Sequence, residues 1–388
     1  MKVICDRGAL LDAVNQVSSV VNSRSPKPQL ACVKLVALKD GSVGRLTLTA
    51  TDGEISLRLA LDRVEVAQPG EALVPADKLR AIVSAQESDP TLTIEADNDA
   101  CSIRGNDAKF KILGYPPAEF PPVPTFAEVS KGAKTVFTHP AGSLSMLITR
   151  TLFAAARENS RYAINGVLLK RDGKRLEMVA TDGRRLAISR ANLVGAEKDA
   201  HAASCIVPAK ALSSLLRLVG DGDESVRIAL TDAQVVFNFG ADGDEDGRAC
   251  LSSNLVEGAF PPYEDVIPKE QDKFVEFDRD VMASAVRRAA LLTNEESRGV
   301  RLSFHAADKQ LQIQSRAAEL GEAEITVDLA SYKGDDIVVG FNPSFLTDAL
   351  KVIDDPRVAM ELNKSPSRPG IIKVGTEFLY VVMPVTLQ

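Results

Sequence analysis

The 388-residue sequence predicts an α+β fold of three repeated units, each with helices laid on one side of antiparallel sheets. Internal repetition is the first observation behind this. Ala-Thr-Asp-Gly occurs at 50–53 and again at 180–183, so Asp52 and Asp182 are 130 residues apart, and "VPADKLRAIVSA" (74–85) returns as "VPAKALSSLLRLV" (207–219) and more loosely as "FNPSFLTDALKVI" (341–353). A second repeat, "DRGALLDAVNQVSSVV" (6–21), recurs as 140–157 and 278–292. The other observation is the hydrophobic period, which is helical in these stretches and drops to two between them.

Two helices per unit are therefore expected, over 6–21 and 75–86, 139–157 and 207–219, and 278–292 and 341–353. Pro75, Pro208 and Pro343 stand at the starts of the second helices, where a missing N–H is tolerated. Apolar and polar residues alternate over 46–61, 226–239 and 309–329, as in half-buried antiparallel strands. Asp-Gly at 40–41, 52–53, 172–173 and 182–183 is expected to form two-residue hairpin turns. Pro-rich segments at 115–124 and 260–268 exclude helix and suit linkers, which places the unit boundaries at 1–130, 131–272 and 273–388.

Composition narrows the function. With 45% hydrophobic and 26% charged residues the chain is of globular type, and it is too long for one core. It contains no apolar run of membrane-spanning length, and its first residues lack the apolar core of a signal peptide, so a cytoplasmic protein without a membrane partner is expected. Five well-separated cysteines suggest buried thiols rather than a metal knuckle or a disulfide framework. The net charge of −7 argues against a generally basic, nucleic-acid-gripping surface, but the charge is segregated. The six expected helices carry +5 and the rest −12. Arg150 and Arg157 are seven apart, as are Lys210 and Arg217, which puts each pair on one helix face opposite the apolar stripe. Such faces can hold a polyanion, and the lack of a basic run or stacking aromatics points to loose, non-specific contact.

No catalytic constellation emerges. "ADGDEDG" (241–247) begins like a calcium loop, but the twelfth position is Ser253 where a bidentate Glu is required. His139, His201 and His305 have no nucleophile partner at a recognised spacing, and neither phosphate-cradling glycine motif occurs. No metal site and no cofactor are expected, and the chain reads as a binding protein rather than an enzyme. Asp182 reads as a turn residue, while Arg184 and Arg185 project to opposite faces of the outgoing strand, leaving at least one to serve a groove. A hydrolase using Asp182 with Arg185, or a peptide-binding scaffold without DNA, are the competing readings.

"SRYAINGVLL" (160–169), "VATDGRRLA" (179–187), "EGAFPPYEDVIP" (257–268), "NEESRGVRL" (294–302), "FNPSFLTDAL" (341–350) and "YVVMPVTL" (380–387) resemble the bacterial β sliding clamps, the processivity subunits of DNA polymerase III, over nearly the whole chain. The resemblance implies a homodimeric ring of three clamp-type domains per subunit, with helices on the inner face and sheets outside, which encloses double-stranded DNA. It also implies partners: replicative polymerase, clamp-loader subunits and other repair and replication proteins that carry a clamp-binding peptide. On this basis Arg24, which matches a DNA-contacting loop, faces DNA, and Lys78, Arg150, Arg157, Lys210, Arg217, Arg287 and Lys351 join it by helix position. The peptide pocket carries over to Arg161, Ile164, Thr181, Gly183, Arg184, Arg185 and Leu186, to Pro261 and Val266, to Asn342 and Phe345, and to Val381, Met383, Pro384 and Val385. Phe110 and Ile112 resemble edge-strand residues that pack on Leu291 and Leu292 of a partner subunit. Arg184, Phe345, Val385 and Ser297 depart from the family's usual His, Tyr, Met and aromatic residues, which puts peptide preference in doubt.

Overall fold

The computed structural model describes every residue except 42, 63, 98, 158–162, 194–201, 221–223, 241–246, 294–298 and 387–388. Arg161, His201, Ser297 and most of the acidic 241–247 stretch lie outside the described residues.

Seven helices run through the described residues: α1 (Arg7–Val17), α2 (Ala76–Ala85), α3 (Phe126–Lys131), α4 (Ala141–Leu152), α5 (Ala209–Leu216), α6 (Arg279–Ala290) and α7 (Pro343–Lys351). Six correspond to the expected stretches, but each is shorter than its apolar pattern. The starts are set by capping. Asp6 accepts from the Ala9 N–H at 2.8 Å, Asp278 from Val281 at 3.0 Å, and Asn342 from Ser344 at 2.9 Å. Pro343 is the first residue of α7, whereas Pro75 is the N-cap of α2 and Pro208 ends the strand before α5.

The shortening has a consequence: Arg157 lies beyond the end of α4 and Arg217 beyond the end of α5, so neither shares a helix face with its expected partner. The seventh helix, α3, was not expected. It follows the proline segment, and its signal is Thr125-x-x-Glu128: the Thr125 hydroxyl accepts from the Glu128 N–H at 3.2 Å while Glu128 accepts from the Thr125 N–H at 2.9 Å. Phe126 and Val129 bury its inner face against Ala229, Val236 and Cys250.

Two compact units make up the chain, Met1–Ser145 with Lys210–Leu255, and Met146–Ala209 with Val256–Gln388. The first unit has a five-stranded sheet, ending on Lys109–Leu113, and an eight-stranded sheet in which Ile55–Asp62 pairs antiparallel with Ala249–Asn254. In the second, a nine-stranded sheet joins Arg185–Asn192 to Phe378–Val382, and a four-stranded sheet ends on Gly321–Asp328. Edge-to-edge pairing of strands far apart in sequence thus builds large sheets from short repeats. α1 packs against α2 and over Val43–Thr51 and Ile55–Asp62, and α6 packs against α7. Leu10, Ala13, Val14 and Val17 fill one stripe of α1, and Met282, Ala285, Val286 and Ala289 that of α6.

The Asp-Gly turns divide into two kinds. At Asp172-Gly173 the register pairs Asp172 with Arg175, so the loop is Gly173-Lys174 with Gly173 at φ 55°, the glycine-first hairpin turn. Asp40 likewise pairs with Val43. At Asp52-Gly53 and Asp182-Gly183, however, Thr51 pairs with Ser56 and Thr181 with Leu186, leaving four-residue loops. The expected two-residue turn is wrong there because the aspartate side chain, rather than a tight backbone turn, closes the loop.

Candidate partner-binding site

The second Ala-Thr-Asp-Gly loop is organised by its two polar side chains. Asp182 Oδ1 accepts from the Arg184 N–H at 2.9 Å and the Arg185 N–H at 3.1 Å, while the Thr181 hydroxyl donates to the Arg185 carbonyl at 2.6 Å and accepts from Gly183 at 3.1 Å. Gly183, at φ 86°, takes the one left-handed position. The first copy repeats every bond, with Thr51 and Asp52 on Gly53, Glu54 and Ile55.

Of the two arginines expected beside the groove, Arg185 is largely buried in a network of its own. Its side chain is 11% exposed, and its donors are engaged by Asp182 Oδ2 at 3.0 Å, Asp348 Oδ2 at 2.7 Å and the Phe153 carbonyl at 2.8 Å. The guanidinium also lies 4.5 Å from the centre of the Phe345 ring and 5.5 Å from that of Phe153. Burial alone would lower its pKa, but the hydrogen bond to Asp348 and the charge of Asp182 carry it above its ordinary value. Arg185 thus clasps the turn to α7, and Arg184, exposed, is the arginine that faces outward.

Leu186 and Val381 sit opposite each other in the register and join Val179, Ile188 and Tyr263 in a buried cluster, with Leu168, Phe260, Ile267 and Leu379 half-exposed at its margin. This is an apolar strip on one face of four neighbouring strands. The Met383 N–H donates to the Arg184 carbonyl at 2.9 Å and the Val385 N–H to the Gly340 carbonyl at 2.8 Å, so the tail runs beside the strip. Met383 and Val266 are exposed, Pro261, Pro384 and Val385 are half-buried, and Ile164 and Thr181 are buried. Asn342 spends its side-chain oxygen capping α7, and Phe345 has its ring under Arg185 and its carbonyl on the Tyr380 hydroxyl at 3.0 Å.

Glu177, Arg190, Asp348 and Phe153 were not singled out from the sequence. The first two are direct cross-strand partners, and only the hairpin register reveals the pair.

Among the DNA-facing candidates, Arg24, Lys78, Arg157, Lys210, Arg217, Arg287 and Lys351 are exposed. Lys78 pairs with Asp77 at 3.4 Å and Lys210 with Asp52. Arg150 departs from expectation: its side chain is 7% exposed, 5.8 Å from the Phe378 ring centre and 3.9 Å from Asp354. α4 buries Leu144, Leu147, Ile148 and Thr151, and Arg150, which flanks that stripe on the wheel, is buried as well rather than exposed on the opposite face. Of the four interface candidates, Leu291 is 76% exposed, Leu292 and Phe110 are half-buried, and Ile112 is buried in its own sheet, where strand alternation turns Leu113 outward instead. The described residues contain no group of three or more His, Cys, Asp or Glu able to hold a metal, and all five cysteines are buried free thiols.

Three family models cover the chain in order: the N-terminal domain of the DNA polymerase III beta subunit over residues 1–124, its central domain over 139–262 and its C-terminal domain over 264–386. The chain belongs to the beta sliding clamp family. It is 34% identical to the beta sliding clamp of Pseudomonas putida and 32% identical to that of Escherichia coli, over the full length of both chains in each case. Its structure is similar to the Pseudomonas aeruginosa clamp bound to griselimycin (TM-score 0.86, 33% identity) and to the Bacillus subtilis clamp (TM-score 0.88, 26% identity), again over the whole of each chain. Beta sliding clamps are processivity subunits rather than enzymes, so the reading of Asp182 and Arg185 as a hydrolase pair is set aside on family grounds as well as geometry.

Proposed function

We propose that this chain is a processivity clamp: two copies close head to tail around duplex DNA, slide along it without reading sequence, and tether a replicative polymerase through the apolar strip. The observation that carries this is the match of all three beta-subunit domains, in order, over the length of the chain. The domain boundaries 1–130, 131–272 and 273–388 belong to the same proposal, with clamp-loader subunits and repair proteins as further partners and the cytoplasm as the site of action. No helix among the described residues is long and apolar enough to cross a membrane.

Two open sheet edges support ring closure. Lys109–Leu113 carries exposed Lys109 and Lys111, and Gly321–Asp328 carries exposed Glu322, Glu324 and Asp328. An unpaired edge invites another strand, and these two are of opposite charge. Exposed Leu291, Leu113 and half-buried Phe110 supply apolar contact nearby in such a pairing. Weak phosphate contacts from exposed lysines and arginines suit a ring that holds DNA by topology, since firm base contacts would stall sliding.

Primer extension on a long single-stranded circle tests the reading. With loader and polymerase supplied, adding this chain should lengthen the tract made per binding event by orders of magnitude. An unchanged tract length would contradict it.

A further inference from the structure

A charged cleft of about 220 Å³ opens beside the apolar strip, and neither DNA enclosure nor the strip itself uses it. Tyr263 belongs to both strip and cleft: its ring is buried in the cluster with Leu186 and Val381, and its hydroxyl donates to Glu177 Oε1 in the cleft at 2.5 Å. Ile267 is the other shared residue. A peptide seated on the strip therefore has this cleft at its flank.

Three acids and three bases line the cleft, so its formal charge balances, but its hydrogen-bonding groups are not paired evenly. Asp172 stands opposite Arg175 at the hairpin end, and Glu264 lies 3.7 Å from Lys170 on the surface. Glu177, the deepest acid, is taken up on both oxygens, Oε1 by Tyr263 and Oε2 by Arg190 Nε at 2.6 Å. Burial, then the hydrogen bond to Glu177, raises the Tyr263 pKa far above the ordinary phenol value, so the hydroxyl remains a donor. Fixing Nε orients the Arg190 guanidinium, and its two terminal nitrogens have no partner among the described residues. At the floor of the cleft the Arg190 donors are thus left over, while at the hairpin end the Asp172 carboxylate is left without a donor among the described residues.

We propose that this cleft is a specificity subsite that receives an acidic residue, aspartate or glutamate, from the segment flanking the apolar motif of a partner peptide, with Arg190 as its main ligand and Lys170 and Arg175 at the rim. The proposal rests on the reading of the apolar strip as the peptide pocket. A partly desolvated guanidinium–carboxylate contact favours the acidic peptide by about tenfold. The same geometry disfavours a basic flank.

The test uses full-length dimer and fluorescent peptides with one leucine–phenylalanine core, extended at either end by three aspartates, three lysines or three alanines, with griselimycin as competitor. For one of the two ends, aspartate should bind about tenfold more tightly than lysine, with alanine between them, and the ratio should shrink with added salt. In Arg190→Gln that ratio should fall to near one, and in Lys170→Gln, an exposed change that leaves the Glu177 network whole, it should fall partway. Equal affinities for aspartate and lysine extensions in the unaltered protein would overturn the subsite, as would a ratio unmoved by Arg190→Gln. If neither griselimycin nor any peptide binds, the pocket itself fails and the subsite with it, whereas griselimycin binding with no acidic preference removes the subsite alone.

Discussion

Arg185, expected in the peptide pocket, also holds the local structure together. It ties Asp182, Asp348 and the Phe153 carbonyl together under two aromatic rings, so Arg185→Ala leaves three partly buried acceptors unmatched. We expect a loss of about 2–3 kcal/mol in chemical denaturation, with Asp182→Asn, which keeps the Oδ1 acceptor, costing well under half of that. Charge reversal at buried Arg150 should act on folding, by an amount on the order of 3–5 kcal/mol, before it acts on DNA. His139 is a separate case: burial lowers its pKa from 6.5 to about 4. Between those values the unfolded chain binds a proton that the folded chain does not, so stability falls as pH drops from 6.5 toward 4, by up to ~3 kcal/mol, and melts of His139→Phe should be flatter across that window. The identities of these residues were visible in the sequence. Their burial was not, because it depends on which helix face the tertiary packing selects.

At the scale of elements, six of the seven helices and the repeat behind them were legible, because apolar spacing of 3.6 and duplicated segments are local signals. Helix ends were not. Arg157 and Arg217 were placed on helices that stop before reaching them, and the capping box at Thr125 is masked by the run of prolines before it. The exposed lysines and arginines still make a testable set. Replacing Lys78, Arg217 and Arg287 with alanine should weaken DNA binding similarly on unrelated sequences and reduce the salt dependence by about one unit of slope for each phosphate that is no longer neutralised. Peptide affinity should be unaffected. At the sheet edges, Lys109→Glu with Lys111→Glu should shift the dimer toward monomer in analytical ultracentrifugation, and adding Glu322→Lys with Glu324→Lys should restore it. Monomer and dimer populations indifferent to both changes would exclude this edge as the closure site.

Across the whole molecule, the proposed peptide pocket depends on the tail beside the apolar strip, and removal of residues 383–388 should abolish binding of a polymerase-tail peptide while leaving the molecule dimeric. The charged cleft was invisible from sequence because Glu177, Arg190 and Tyr263 come from three segments whose meeting only register and packing decide. The central claim is topological, and retention on DNA tests it most directly. Loaded onto a nicked circular duplex and passed through a gel-filtration column, the protein should elute with the DNA, and linearising the circle beforehand should release it. Equal loss from circle and linear DNA, or equal retention on both, would contradict a ring that holds DNA by enclosure.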